Sequence, residues 1–235
     1  MPRSVSLPLL ALALATITTS ARAAEERSDA EVTRRLAFIE QRLESGTAAA
    51  DRWWYGWYAG YSALTVGQFV IALGVTDPKA RADYAVGAAA SSLGVIPLAF
   101  VSFTPRFAAA DLRVYPAATP EQRRRKLAAA ERLLHAASDV ELQGRSWVTH
   151  ALGLSVSLAT GLVLGLGYHS PRGAVLNSLG GVVLTELQAF TQPTAAIDAW
   201  RAYGLGQITS PPTATNKPRW GIVPQGMGLG FAAVF

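Results

Sequence analysis

Cysteine is absent from this chain of 235 residues. That excludes a disulfide framework, thiolate metal ligation and cysteine nucleophiles, and leaves packing as the source of stability. Histidine is scarce, at three residues. No His-x-x-x-His pair, phosphate loop, Gly-x-Ser-x-Gly elbow or dinucleotide fingerprint occurs, and the Gly-x-Gly pairs at 165–167 and 228–230 lack the context such sites need. No metal, no cofactor and no catalytic set is therefore expected. Charge is sparse as well: Asp, Glu, Lys and Arg make up 16% of the chain, below the usual quarter, while half of it is apolar. Membrane lipid is the surrounding such a balance suits. The net charge of +5 falls to +3 once Arg3 and Arg22 are set aside, and the excess lies in one loop rather than over a surface, so nucleic acid is not an expected partner.

What is present begins with a processing signal. Arg3, an apolar run from Val5 to Ile17 and the small-x-small site Ala21-Arg22-Ala23 have the layout of a secretory signal peptide, so residues 1–23 are expected to be cleaved. An exported amphipathic helix follows over 24–52. Ser28-Asp29-Ala30-Glu31 reads as a capping box that starts it, Val32, Leu36, Ile39 and Leu43 form its narrow apolar stripe, and Ser45-Gly46 is the expected stop.

Residues 53–105 read as a first transmembrane hairpin. Trp53-Trp54-Tyr55-Gly56-Trp57-Tyr58 has the composition of an interfacial aromatic belt, and the apolar run behind it carries Gly60, Gly67, Gly74 and one strongly polar side chain, Gln68. Asp77-Pro78 marks the turn, and Tyr84–Phe103 forms the second arm, kinked at Pro97. Residues 106–147 form a polar loop with a second amphipathic helix, whose start is marked by Thr119 as N-cap, Pro120 and Gln122. The cations Arg123-Arg124-Arg125-Lys126 sit at the unfavourable end of that helix dipole, which points to solvation, anionic lipid or a partner as their role.

The second transmembrane hairpin, 148–192, is organised by a glycine zipper. Gly153, Ser157, Gly161 and Gly165 recur every fourth residue on its first arm, with Gly181 on the second, and small side chains in such a ladder let helices approach closely. The two halves of the chain echo each other. Leu36, Ile39, Glu40 and Leu43 match Leu127, Ala130, Glu131 and Leu134; Arg52 and Trp54 match Arg145 and Trp147; Ser92-Leu93-Gly94 matches Ser178-Leu179-Gly180; Phe103-Thr104 matches Phe190-Thr191. The expected fold is an all-α membrane protein with four transmembrane helices arranged as two pseudo-repeated hairpins, each preceded by an amphipathic helix, in a parallel repeat about the membrane normal.

Residues 193–235 are read as a linker and a short β-like tail. Pro211-Pro212 and Asn216-Lys217-Pro218 form the linker, a hairpin turns at Pro224-Gln225-Gly226, and Met227, Leu229, Phe231, Ala233 and Phe235 alternate. A terminal Phe on an alternating strand resembles the closing strand of outer-membrane barrels. The resemblance covers Met227–Phe235 alone, whereas a barrel needs many such strands. Addition of a strand to an envelope protein partner is the other use of such a segment.

Polar candidates are few. His150 and Gln188 are placed at similar depth at the outer end of the second hairpin, Glu186 on the opposite side of its helix, and Gln68 and Asn177 are read as interhelical amides. The functional expectation is a non-enzymatic, multi-pass protein of a bacterial envelope, with a structural or partner-binding role and a homo-oligomer possible. It would sit in the inner membrane, with the N-terminus and the long loop periplasmic. The alternatives are a small oligomeric channel or transporter using Gln68, Asn177, His150 and Glu186, and a membrane-embedded enzyme built on His150 and Glu186.

Overall fold

The computed structural model describes the backbone of residues 7–208, 219–225 and 228–234, and the side chains from Ser28 to Ile208. Helix α1 runs from Leu7 to Gly74, α2 from Pro78 to Phe100, α3 from Ala108 to Arg113, α4 from Pro120 to Gly144, α5 from Trp147 to Leu162, α6 from Pro171 to Thr191 and α7 from Ala195 to Gly204. Strands β1, Arg219–Gln225, and β2, Gly228–Val234, pair antiparallel, with Gln225 opposite Gly228 and Arg219 opposite Val234.

The 68-residue α1 corrects two expected boundaries. The helix neither starts at Ser28 nor stops at Gly46. A single interior glycine costs only about 1 kcal/mol, and the Ala48–Ala50 run beyond it is strongly helix-forming. Gly46 also has a packing reason to be small: a Cβ there would meet the Ala195 methyl at 3.4 Å. The amphipathic and apolar segments, read as separate units over 24–52 and 53–75, are thus one rod. The processing signal at Arg3 and Ala21-Arg22-Ala23 lies outside the described side chains.

The charged part of α1 builds a helical cap with α3, α4 and α7. Ile39, Ala108, Ala130, Leu134 and Ala137 are wholly buried, joined by Leu36, Phe38, Leu43, Leu112 and Ala199. The positions matched between the two halves, Leu36, Ile39 and Leu43 with Ala130 and Leu134, meet in this one core. Helix α4 begins where its sequence places it, with the Thr119–Gln122 capping box formed in both directions. Its basic run is solvated in part, with Arg124 and Arg125 exposed, and is also engaged in ion pairs. Arg124 and Arg123 reach Asp29 of α1 at 3.0 and 3.7 Å, Lys126 pairs with Glu40 at 2.7 Å, and Arg125 pairs with Glu121 at 2.5 Å. Arg123, Arg124 and Lys126 thus lace α4 to α1, while Arg125 pairs within α4.

Beyond the cap, the apolar part of α1, α2, α5 and α6 form a bundle with inverted polarity. Leu73 is 71% exposed, Phe100 84%, and Val66, Val70, Leu158, Leu166, Leu179 and Phe190 are also exposed. Among the described residues, two helical stretches are long and apolar enough to cross a membrane, Pro78–Phe100 and Trp147–Gly167, and only 17% of each is buried. A soluble core helix would bury most of its length. Of the four spans read from sequence, two meet this test of length and composition. In α1 the aromatic belt and Gln68, and in α6 Asn177, Glu186 and Gln188, lower the hydropathy of helices that otherwise carry the same exposed apolar faces.

Helix α5 ends in a feature with no evident sequence signal, a π-helical turn over Val163–Gly167. The tight link to α6 that follows puts His169 at φ +54°. Pro97 lies in the last turn of α2, which ends three residues beyond it. The expected linker at 211–218 and the residues Gly226, Met227 and Phe235 lie outside the described residues.

Candidate functional site

The bundle is held by two kinds of contact. Between α5 and α6, small residues interlock. A Cβ at Gly153 would lie 2.7 Å from Thr185 Oγ1, one at Gly181 2.7 Å from Ser157 Oγ, one at Gly165 3.5 Å from the Ala174 methyl, and one at Gly161 would overlap Ser178 Oγ. Every member of the predicted zipper is therefore in contact, with Ala174, Ser178, Gly181 and Thr185 as the facing side of α6. Between α1 and the other helices, aromatics and amides do the joining. Trp53 Nε1 donates to the Gln188 carbonyl at 3.2 Å, Trp57 Nε1 to Thr191 Oγ1 at 3.0 Å and Tyr61 Oη to Gln188 Oε1 at 3.1 Å. Gly94 of α2 makes room for the Tyr61 ring, and Thr65 Oγ1 donates to Ser91 Oγ at 3.0 Å.

The two hairpins do not close fully on each other. They leave a cleft of about 870 Å³, lined from α1 by Trp53, Tyr61, Leu64 and Gln68, from α2 by Gly87, Leu93, Gly94 and Pro97, from α5 by Leu152, Gly153, Val156 and Ser157, and from α6 by Leu176, Asn177, Gly180, Leu184 and Gln188. Several wall residues are themselves exposed, among them Leu93 on α2, Val101 just past its end, Leu152 on α5 and Leu176 on α6. The cleft therefore has an exposed apolar rim built from α2, α5 and α6. No residue lining it carries a charge. Near its cap end the buried Gln192 donates Nε2 to the Val140 carbonyl at 3.3 Å, while Arg145 Nη1 holds the Gln192 carbonyl at 2.9 Å.

The predicted polar residues divide between two places. Gln68 and Asn177 come together over Gly87, where a Cβ would stand 2.5 Å from Gln68 Oε1 and 2.7 Å from Asn177 Oδ1. Asn177 Nδ2 donates to the Gly173 carbonyl at 3.0 Å, and Gln68 Oε1 is buried with no hydrogen-bond partner. His150 and Gln188 do not meet. Glu186, placed by sequence on the far side of α6, instead stands 2.9 Å from His150 Nδ1 through both carboxylate oxygens, and Gln188 faces α1. The difference follows from the rotation of α6, which presents the Ala174–Thr185 row to α5 and leaves Gln188 toward α1. The His150–Glu186 pair is partly exposed, rests against the Phe190 ring and is not part of the cleft lining. Among the described residues no group of three His, Asp or Glu is placed to hold a metal.

Three polar anchors are absent from the sequence reading. Arg106 donates Nε to Asp51 Oδ1 at 2.8 Å and lies 3.9 Å from the Trp54 ring centroid, with Tyr55 and Phe107 also beside it. Asp83 accepts from Ser170 Oγ at 3.1 Å, at the start of α6, next to Gly173, which leaves no room for a Cβ there. Glu141 is 1% exposed on α4 and accepts from the backbone N–H groups of Ala196 and Ile197, at 2.9 and 3.0 Å, which caps α7 from another helix. Burial raises its carboxyl to about 7 despite those bonds. A signal for it exists: Ala130, Leu134, Ala137 and Glu141 follow the 4-3-4 stripe, so the acid falls on the buried face. No protein-family model, curated protein or solved structure matches this chain.

Proposed function

We propose that the chain is a non-enzymatic, multi-pass membrane protein of a bacterial envelope, with four spans in two hairpins and a binding or structural role. The observation that carries this is the change of polarity along one molecule. Ile39 and Leu134 are fully buried in the cap, whereas Val66, Val70, Leu73, Val175, Leu179, Val183, Leu187 and Phe190 of the bundle are exposed. Lipid is the solvent that suits the second surface and water the first. The Trp53–Tyr58 belt, Trp147, Phe103 and Phe190 all lie at the cap end of the bundle, where an interfacial aromatic layer belongs. With a cleaved signal peptide, that end and the cap face outward, in the inner membrane.

The channel reading draws no support from the geometry, since His150 and Glu186 lie apart from the cleft that Gln68 and Asn177 line. Two strands alone make a marginal sheet, and both strands of the tail are edges. A partner strand added to either edge would complete it, and this favours the tail as a partner-binding element. The membrane and orientation readings are tested together on spheroplasts. The protein is expected to resist carbonate extraction, and protease added from outside is expected to cut within the cap. Extraction by carbonate would overturn the membrane assignment; full protection of the Arg123–Lys126 region would overturn the orientation.

A further inference from the structure

We infer that the cleft between the two hairpins holds one acyl chain of a membrane phospholipid, entering from the bilayer past its exposed apolar rim. The inference rests on the membrane reading above and adds a ligand to it. The volume, about 870 Å³, falls within the range of sites for elongated small molecules. The wall is uncharged, which disfavours an ion or an ionised solute, because neither would find compensation for its lost hydration there.

The hydroxyls in the wall narrow the chemistry further. Ser157 donates to the Gly153 carbonyl, Thr160 to Val156, Thr185 to Gly181 and Ser91 to Gly87, each within its own helix. Tyr61 is engaged by Gln188. These hydroxyl donors are thus turned inward; Gln68 Oε1, beside Asn177, is the acceptor left without a partner in the wall among the described residues, and the rest of these lining residues offer a ligand mainly hydrocarbon. A water file or a sugar would need the opposite. The rim residues Leu93, Val101, Leu152 and Leu176 are exposed and apolar, so a chain would enter without crossing a charged rim. Trp53 and Trp54 line the cap end, where the headgroup of the same lipid would lie.

The test uses the full chain in phosphatidylcholine vesicles that contain a trace of the same lipid with a photoactivatable diazirine in its acyl chain. Crosslinked residues are mapped by mass spectrometry after irradiation. Cleft residues such as Leu93, Pro97 and Leu176 are expected to be labelled well above outward-facing Val66, Val70 and Leu158. Gly180→Leu, at a wall position where an added Cβ meets no atom within 4 Å, is expected to lower cleft labelling to the outward-facing level. Gly60→Leu, equally unobstructed and away from the cleft, is the control expected to leave it unchanged. Uniform labelling of the native chain overturns the acyl-chain assignment while the membrane reading stands, and so does cleft labelling that persists in a helical Gly180→Leu protein. A chain not retained by the vesicles overturns both. The map on the native protein decides the question even if the variant fails to fold.

Discussion

The Glu141 carboxylate on α4 accepts the backbone N–H of Ala196 at 2.9 Å, so the start of α7 is capped by a residue 55 positions earlier in the chain. Thr194, the residue in the local N-cap position, makes no capping bond of its own. The start of this helix is therefore a tertiary feature.

Replacing Glu141 by Ala leaves two N–H groups without their acceptor, and a loss of about 1–3 kcal/mol is expected. Glu141→Gln keeps one acceptor oxygen and should cost less. The pH dependence has a definite sign. A carboxyl raised from 4.5 to about 7 in the folded state binds its proton more tightly there than in the unfolded chain. Its contribution is full below pH 4.5 and is lost as pH rises through about 7. Thermal unfolding in detergent at stepped pH should show native stability declining over that window relative to Glu141→Gln, by about 3 kcal/mol at most. Parallel profiles for the two proteins would count against it.

Arg106 joins the two parts of the molecule, paired with Asp51 and stacked on Trp54 at the level where cap meets bundle. Arg106→Ala should destabilise by about 2 kcal/mol, from the lost ion pair and the lost ring contact together. Lysine keeps the charge but not the planar stack, so Arg106→Lys should recover only part of the loss. Full recovery would show that charge alone matters.

The glycines fall into two classes that substitution separates. At Gly161 a side chain collides with Ser178, whose hydroxyl is held at 2.9 Å from the Ser157 carbonyl, whereas at Gly60 and Gly67 a Cβ meets nothing within 4 Å. Gly161→Leu is expected to force α5 and α6 apart at a cost of about 1–3 kcal/mol or more. Gly67→Leu should be nearly neutral in monomer stability. Equal effects in a melting assay would mean that the outward glycines are also covered, by another copy.

Gln68 Oε1 is buried without a partner among the described residues, so that oxygen is a cost to the fold. Gln68→Met is expected to raise the melting temperature slightly. A marked fall would reveal a partner for that oxygen.

Much of the helical order was legible in the sequence, because periodicity and local caps are local quantities. The Thr119 capping box, the 4-3-4 stripe of Leu36 to Leu43 and the Gly153–Gly165 ladder all stand in the structure as their spacing implies. Boundaries that depend on competition were less so. Ser28 and Gly46 carry start and stop signals, yet the flanking helix is strong enough to run through both.

The composition and patterning of the chain by themselves determine its helical character, the abundance of apolar side chains in the bundle helices and the absence of cysteine chemistry, since each depends only on which side chains occur and at what interval. Tertiary structure alone decided which faces meet. One rotation of α6 set Glu186 against His150 and turned Gln188 to Tyr61, folding brought Glu141 under α7, and the imperfect closure of two hairpins opened the cleft. Helical periodicity groups residues on a side, but it carries no information on what that side will touch.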